Sequence, residues 1–224
     1  MSQADETGAP VATPVDSSGT PPADYRLLLP EGWFLVPVSP DRRERSVDVL
    51  INRQFEGVDN APHIKRQLRD KLLAQAAAAY QGGGIELYIS LQQAGPLTIP
   101  ASLLITLLPT PHSERALTAQ DFAARLSSDG EADVSIVELP AGTAVRTRTP
   151  AGQPTQSPPV GVPGSTEPPL PSVTLTYQVP VPTTRAYLLL TFSTPLVEIA
   201  DVMIELFDAV AGSMIWTDGE QTHE

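Results

Sequence analysis

Apolar and polar positions alternate or recur along the chain in patterns that predict both strands and helices. Tyr25–Leu29 reads as a short strand, and Pro30-Glu31-Gly32 as a turn into a second strand, Trp33–Val38, together an expected β-hairpin with an aromatic core anchor. Ser39 can cap a helix with Pro40 at its first position, after which Val47, Leu50, Ile51 and Phe55 recur at helical spacing. Asn60 can cap the next helix, where Ile64, Leu68, Leu72 and Ala76 form an i, i+4 stripe that stops at Gly82-Gly83-Gly84.

From Ile85 to Gln92, Ile85, Leu87, Ile89 and Leu91 alternate with Glu86, Tyr88, Ser90 and Gln92, so one face is expected buried and the other wet. Ser102–Leu108 is a nearly continuous apolar run suited to a central strand, expected to pair antiparallel with the preceding one. Thr118 can cap a short helix, Ala119–Leu126. Two further strand pairs follow, Val134–Leu139 with Thr143–Arg148 and Val173–Val179 with Ala186–Phe192, before a last helix of roughly Leu196–Ala211 opened by Pro195. This order predicts an α+β fold, an antiparallel β-sheet flanked by helices.

Composition sets the domain plan. Residues 1–24 hold no aromatic side chain and are rich in Ser, Thr, Pro, Ala and Gly, so a disordered tail is expected. Thr149–Pro171 carries eight prolines and one charge, Glu167, and is expected to be a flexible loop inside a single domain of residues 25–217, with 218–224 a second disordered tail. No apolar run approaches the roughly 20 residues of a membrane-spanning helix. The chain has no cysteine, which removes disulfides, thiolate metal sites and cysteine nucleophiles, and with an N-terminus unlike a secretory signal points to the cytoplasm.

A formal charge of −12 disfavours nucleic acid and anionic lipid as partners. His63, His112 and His223 lack companions at metal-ligand spacing, so no metal or cofactor is expected. His112-Ser113-Glu114 has the residue types of a hydrolase triad, but adjacent side chains cannot take triad geometry. No catalytic residue is therefore assigned.

One charge pattern stands out. From Leu196 onward there are seven acidic residues and no Lys or Arg, and Glu198, Asp201, Glu205 and Asp208 share one helical face. That face is either solvated, while Ile199, Val202, Met203, Leu206, Phe207 and Val210 pack on the sheet, or a docking surface for another protein with a basic surface. It can also meet the chain's own cations: Arg42, Arg43, Arg45 and Arg53 in the first helix region, Lys65, Arg66, Arg69 and Lys71 in the second.

Tyr25-Arg-Leu-Leu-Leu-Pro-Glu-Gly-Trp33 resembles the first hairpin of PsbP-like proteins, and Tyr187–Pro195 with the helix and Ser213-Met-Ile-Trp216 is similar to the last strand and helix of that superfamily and of LpqN-type lipoproteins. The resemblance implies a PsbP-like α/β/α sandwich and, since relatives include photosystem assembly subunits, a Ran-binding transport factor and Eag-type secretion adaptors, binding without chemistry. A non-enzymatic protein-binding or adaptor module, linked to secretion or to assembly of a larger complex, is the expected function. The alternative is a small-molecule or lipid binder with an apolar pocket between sheet and helices, lined by Trp33, Phe34, Tyr88 and Phe192.

Overall fold

The computed structural model describes residues 21–55, 62–95, 97–110, 118–128, 132–152 and 171–218. The expected Asn60 cap, the His112-Ser113-Glu114 loop, His223 and most of the two tails and the proline-rich loop lie outside the described residues. At their margins, Asp24 already belongs to a strand and Thr149 still does.

The elements run β1 (Asp24–Arg26), β2 (Trp33–Val36), α1 (Pro40–Gln54), α2 (Pro62–Gln81), β3 (Gly84–Ala94), β4 (Leu97–Leu108), α3 (Ala119–Ser128), β5 (Asp133–Leu139), β6 (Gly142–Thr149), β7 (Val173–Pro180), β8 (Tyr187–Thr194), a 3-10 turn (Val197–Ile199), α4 (Ala200–Ala211) and β9 (Ile215–Thr217). Seven strands form one antiparallel sheet in the order β2-β3-β4-β8-β7-β6-β5, and β1 pairs with β9 in a separate two-stranded sheet. The expected α+β architecture is present, and β4 is a central strand as its apolar run requires.

The expected first hairpin does not form. Tyr25 pairs with Trp216 across β1 and β9, and Trp33 pairs with Ser90 across β2 and β3. Gly32, at φ +86°, turns the chain between the two sheets, and a Cβ there would meet the Gln92 backbone at 3.3 Å. Only glycine accepts both the left-handed backbone and that approach. The turn chemistry was legible; the partners it delivers the strands to were not.

Each face of the large sheet has its own core. On one, Leu103, Ile105, Leu175, Tyr177, Val179, Leu188, Leu190 and Phe192 pack against α4 through Met203, Ile204, Phe207 and Val210. On the other, Val36, Leu87, Ile89 and Leu104 pack against Val47, Leu50 and Ile51 of α1 and Leu72, Ala76 and Ala79 of α2. The wet face expected on β3 is kept at Gln92, which is exposed, but not at Ser90, only 2% exposed, or at Tyr88, which packs against the α4-side core. Gly84 lets α2 end directly against the sheet, for a Cβ there would lie 2.8 Å from the Ala79 carbonyl oxygen.

Local chemistry explains α3. Thr118 Oγ1 accepts from the Asp121 N–H at 3.1 Å while the Asp121 carboxylate accepts from the Thr118 N–H at 3.3 Å, a reciprocal cap. At α1, Ser39 occupies the cap position without a side-chain cap bond, and Pro40 sets the first turn.

On the α1/α2 face the sheet becomes polar toward β7. The cross-strand row that starts at Leu104 continues through Thr191, Thr176 and Thr147. The neighbouring row brings Gln178 beside Leu189 and Val145. Strand alternation therefore gives β7 and β8 one apolar face under α4 and one face rich in hydroxyl and amide groups.

Candidate functional site

Helix α4 sits on the sheet through Phe207, whose ring stacks on Phe192 with centroids 4.9 Å apart and meets Trp33 edge-on at 6.5 Å. Trp33 and Phe192 are therefore core contacts of α4. Phe34, one residue on in the strand, faces the opposite core, where the Arg53 guanidinium lies 5.2 Å from its ring centroid. Tyr88 is on the α4 side but bound elsewhere: its hydroxyl and that of Tyr25 both donate to Glu86 Oε2, at 3.1 and 2.6 Å. Burial and the Glu86 carboxylate raise both phenol pKa values. The four aromatics expected to line one pocket thus divide between two cores, because neighbouring strand positions alternate faces.

The acidic arc of the last helix also divides. Arg146 Nε and Nη2 donate to Asp208 Oδ1 and Oδ2 at 2.8 and 3.1 Å, and the Tyr177 hydroxyl donates to the same carboxylate. Arg148 Nη2 donates to Asp201 Oδ1 at 2.7 Å. The Asp208 hydrogen bond holds the Arg146 pKa above its usual value, and burial raises the Tyr177 phenol. These cations come from β6, not from α1 or α2, which pack on the far side of the sheet from α4. Arg146 and Arg148 alternate in phase with buried Ala144, which is the sequence signal that they point toward the helix.

Glu198 and Glu205 turn outward and are exposed. Between them Val202 is 63% exposed, with Val197 and Ile199 at 40% and 43% beside it. The expected packing stripe is corrected here: Ile199 and Val202 face solvent, while Ala200, Met203, Ile204, Phe207, Val210 and Ala211 are buried. The outer face of α4 therefore combines apolar side chains with carboxylates.

The contrast lies across the sheet. Helices α1 and α2 hold eight of the chain's 14 Lys and Arg against four carboxylates, although the whole chain carries −12. On α1, Arg45, Val49 and Arg53 follow each other at i, i+4, and Val49 is 63% exposed. Arg69 Nε donates to Asp48 Oδ1 at 2.6 Å, tying α2 to α1 and lowering the Asp48 pKa through that hydrogen bond. Among the described residues, no group of His, Cys, Asp and Glu is placed to hold a metal ion, and no helix is long and apolar enough to cross a membrane.

No protein-family model and no characterised sequence matches the chain. Among solved structures it is similar to the crystal structure of LpqN, involved in cell envelope biogenesis of Mycobacterium tuberculosis, over 89% of this chain and 87% of the other, with TM-score 0.44 and 12% identity. It is also similar to the solution structure of cyanobacterial PsbP (CyanoP) from Synechocystis sp. PCC 6803, over 86% of each chain, with TM-score 0.39 and 14% identity. The likeness to a PsbP-like protein is a weak one.

Proposed function

We propose that the protein is a non-enzymatic binding module whose outer α4 face, Glu198, Val202 and Glu205, docks a partner protein through a basic amphipathic segment. The observation that carries this reading is the split of the acidic arc. Asp201 and Asp208 are engaged by Arg148 and Arg146, whereas Glu198 and Glu205 flank Val202, the most exposed apolar side chain of the helix. An apolar centre with a charged rim is the anatomy of a transient interface.

Electrostatics gives the partner its sign. From residue 196 to the end there is no Lys or Arg, so the local field attracts cations and speeds encounter with a basic surface within the roughly 8 to 10 Å over which physiological salt leaves it unscreened. Affinity capture from the native host with wild-type protein, Val202→Asp and Glu198→Lys/Glu205→Lys tests the reading. One set of basic proteins is expected to be held by the wild type, to elute with salt and to be lost from both variants at unchanged melting temperature. Equal capture by all three would overturn it. The alternative of a pocket among Trp33, Phe34, Tyr88 and Phe192 is not retained, because those rings pack into two separate cores.

A further inference from the structure

A cleft of about 300 Å³ lies on the sheet face opposite α4, between α3 and strands β6, β7 and β8. Phe122 of α3 and Tyr187 of β8 stand nearly parallel beside it, centroids 6.5 Å apart and planes 22° apart. Val145 and Pro180 add aliphatic surface, and Thr143 and Gln178 are polar groups on its wall. The described side chains that line it carry no formal charge.

Gln178 is the unusual member. It is 93% buried as a residue, and its amide, which has no hydrogen-bond partner among the described residues, keeps contact with solvent. Water can therefore serve this amide, and a ligand that enters must replace those hydrogen bonds. Packing does not require a glutamine here. The same strand fills its other face with Leu175, Tyr177 and Val179, and a methionine would occupy the same length. The amide instead presents a donor and an acceptor side by side to a cleft walled by aromatic and aliphatic carbon.

We propose that this cleft is a binding site for a small, neutral, planar molecule carrying an amide edge. Its ring would lie along the Phe122–Tyr187 wall, and its own adjacent N–H and C=O would take over the two hydrogen bonds that water otherwise supplies to Gln178. The volume is at the lower limit of small-molecule sites, which suits a ligand of one or two rings. The uncharged lining and the acidic chain disfavour an anion.

The site is independent of the outer α4 face, so each can fail without the other. The test uses the full-length chain with benzamide as probe, and toluene and benzoate as comparators that lack the amide or add a charge. Ligand titration followed by NMR is expected to show saturable benzamide binding at millimolar Kd, with shifts in the Gln178 side-chain amide and in the Phe122 and Tyr187 rings, and no matching response to benzoate. Gln178→Met should weaken benzamide by about tenfold or more while leaving toluene unchanged, as loss of a polar anchor does. Ala119→Trp, which fills the cleft from α3, should abolish both. A cleft that holds only water would give no benzamide shift at Gln178 up to the solubility limit, and that result overturns the proposal. So does equal benzamide affinity in wild type and Gln178→Met. Should Gln178→Met fail to fold, the wild-type Gln178 shift and the Ala119→Trp loss still decide between these outcomes.

Discussion

Arg146 on β6 grips Asp208 on α4 through two roughly parallel N–H···O bonds, and the Tyr177 hydroxyl closes the third side of the same carboxylate. The Arg146 side chain is only 16% exposed, against 40% for Asp208, so cutting the pair leaves a largely buried guanidinium without its counter-ion. Asp208→Ala is expected to cost about 1 to 3 kcal/mol, below the cost for a fully buried pair because solvent screens Asp208. Glu205→Ala, on the outward side of the same helix, should stay within about 0.5 kcal/mol of wild type. Urea unfolding of the two variants checks the split of the acidic arc directly.

Trp33 makes a second prediction. Its ring is half-buried against Phe207, yet its Nε1–H is buried with no acceptor among the described residues. Removing the whole ring should cost about 3 kcal/mol or more, as large aromatic truncations do. Trp33→Phe keeps an aromatic contact and removes the unsatisfied donor, so its cost should stay under about 1.5 kcal/mol. Equal losses in the two variants would mean that the indole nitrogen carries an interaction of its own.

The tyrosines set the alkaline limit. Burial, aided at Tyr25 and Tyr88 by Glu86 and at Tyr177 by Asp208, raises these phenols above the ordinary tyrosine value, and burial raises Tyr187. A group whose folded pKa is raised adds stability in full below its unfolded pKa, here about 10, and loses it as pH climbs toward the folded value. Stability should therefore fall above about pH 10. Spectrophotometric titration should show these tyrosines ionising at higher pH in the native protein than in denaturant; coincident titrations would contradict the burial of their hydroxyls.

Trp216 fastens the C-terminal strand by donating its Nε1–H to the Ala141 carbonyl oxygen at 2.8 Å, while its ring meets Tyr25 edge-on at 6.4 Å. Trp216→Phe should cost about 1 kcal/mol through the lost hydrogen bond. Hydrogen exchange should quicken at Tyr25 and Ile215, in the β1–β9 pair, before it quickens in β4 or β8.

What was legible from sequence was local. Ser39-Pro40 followed by Val47, Leu50 and Ile51 placed α1, Thr118 placed the start of α3, and the runs Val173–Val179 and Ala186–Phe192 placed the β7–β8 hairpin. Pairings between distant segments were not legible: β1 joins β9 across most of the chain, while the turn at Gly32 looked like that of a local hairpin. In α2, the i, i+4 stripe buries Leu72 and Ala76 but leaves Ile64 45% exposed. A helix of 20 residues spans about 30 Å, so its early turns can extend past the strands it covers. The acidic arc on α4 was visible, but its division depended on which strand brought Arg146 and Arg148 alongside. Gln178 gave no signal, because a glutamine in an alternating strand is expected on a wet face.

Site-specific photocrosslinking in the native host probes the docking face most directly. A photoreactive side chain at position 202, between Glu198 and Glu205, is compared with one at position 49, between Arg45 and Arg53, where the replaced valine is equally exposed at 63%. The expected result is a discrete adduct with a second protein from position 202, absent from position 49 and lost on Glu198→Lys/Glu205→Lys. No adduct at 202, the same adducts from both positions, or only a dimer of the chain itself would show that the outer face of α4 does not dock a basic partner.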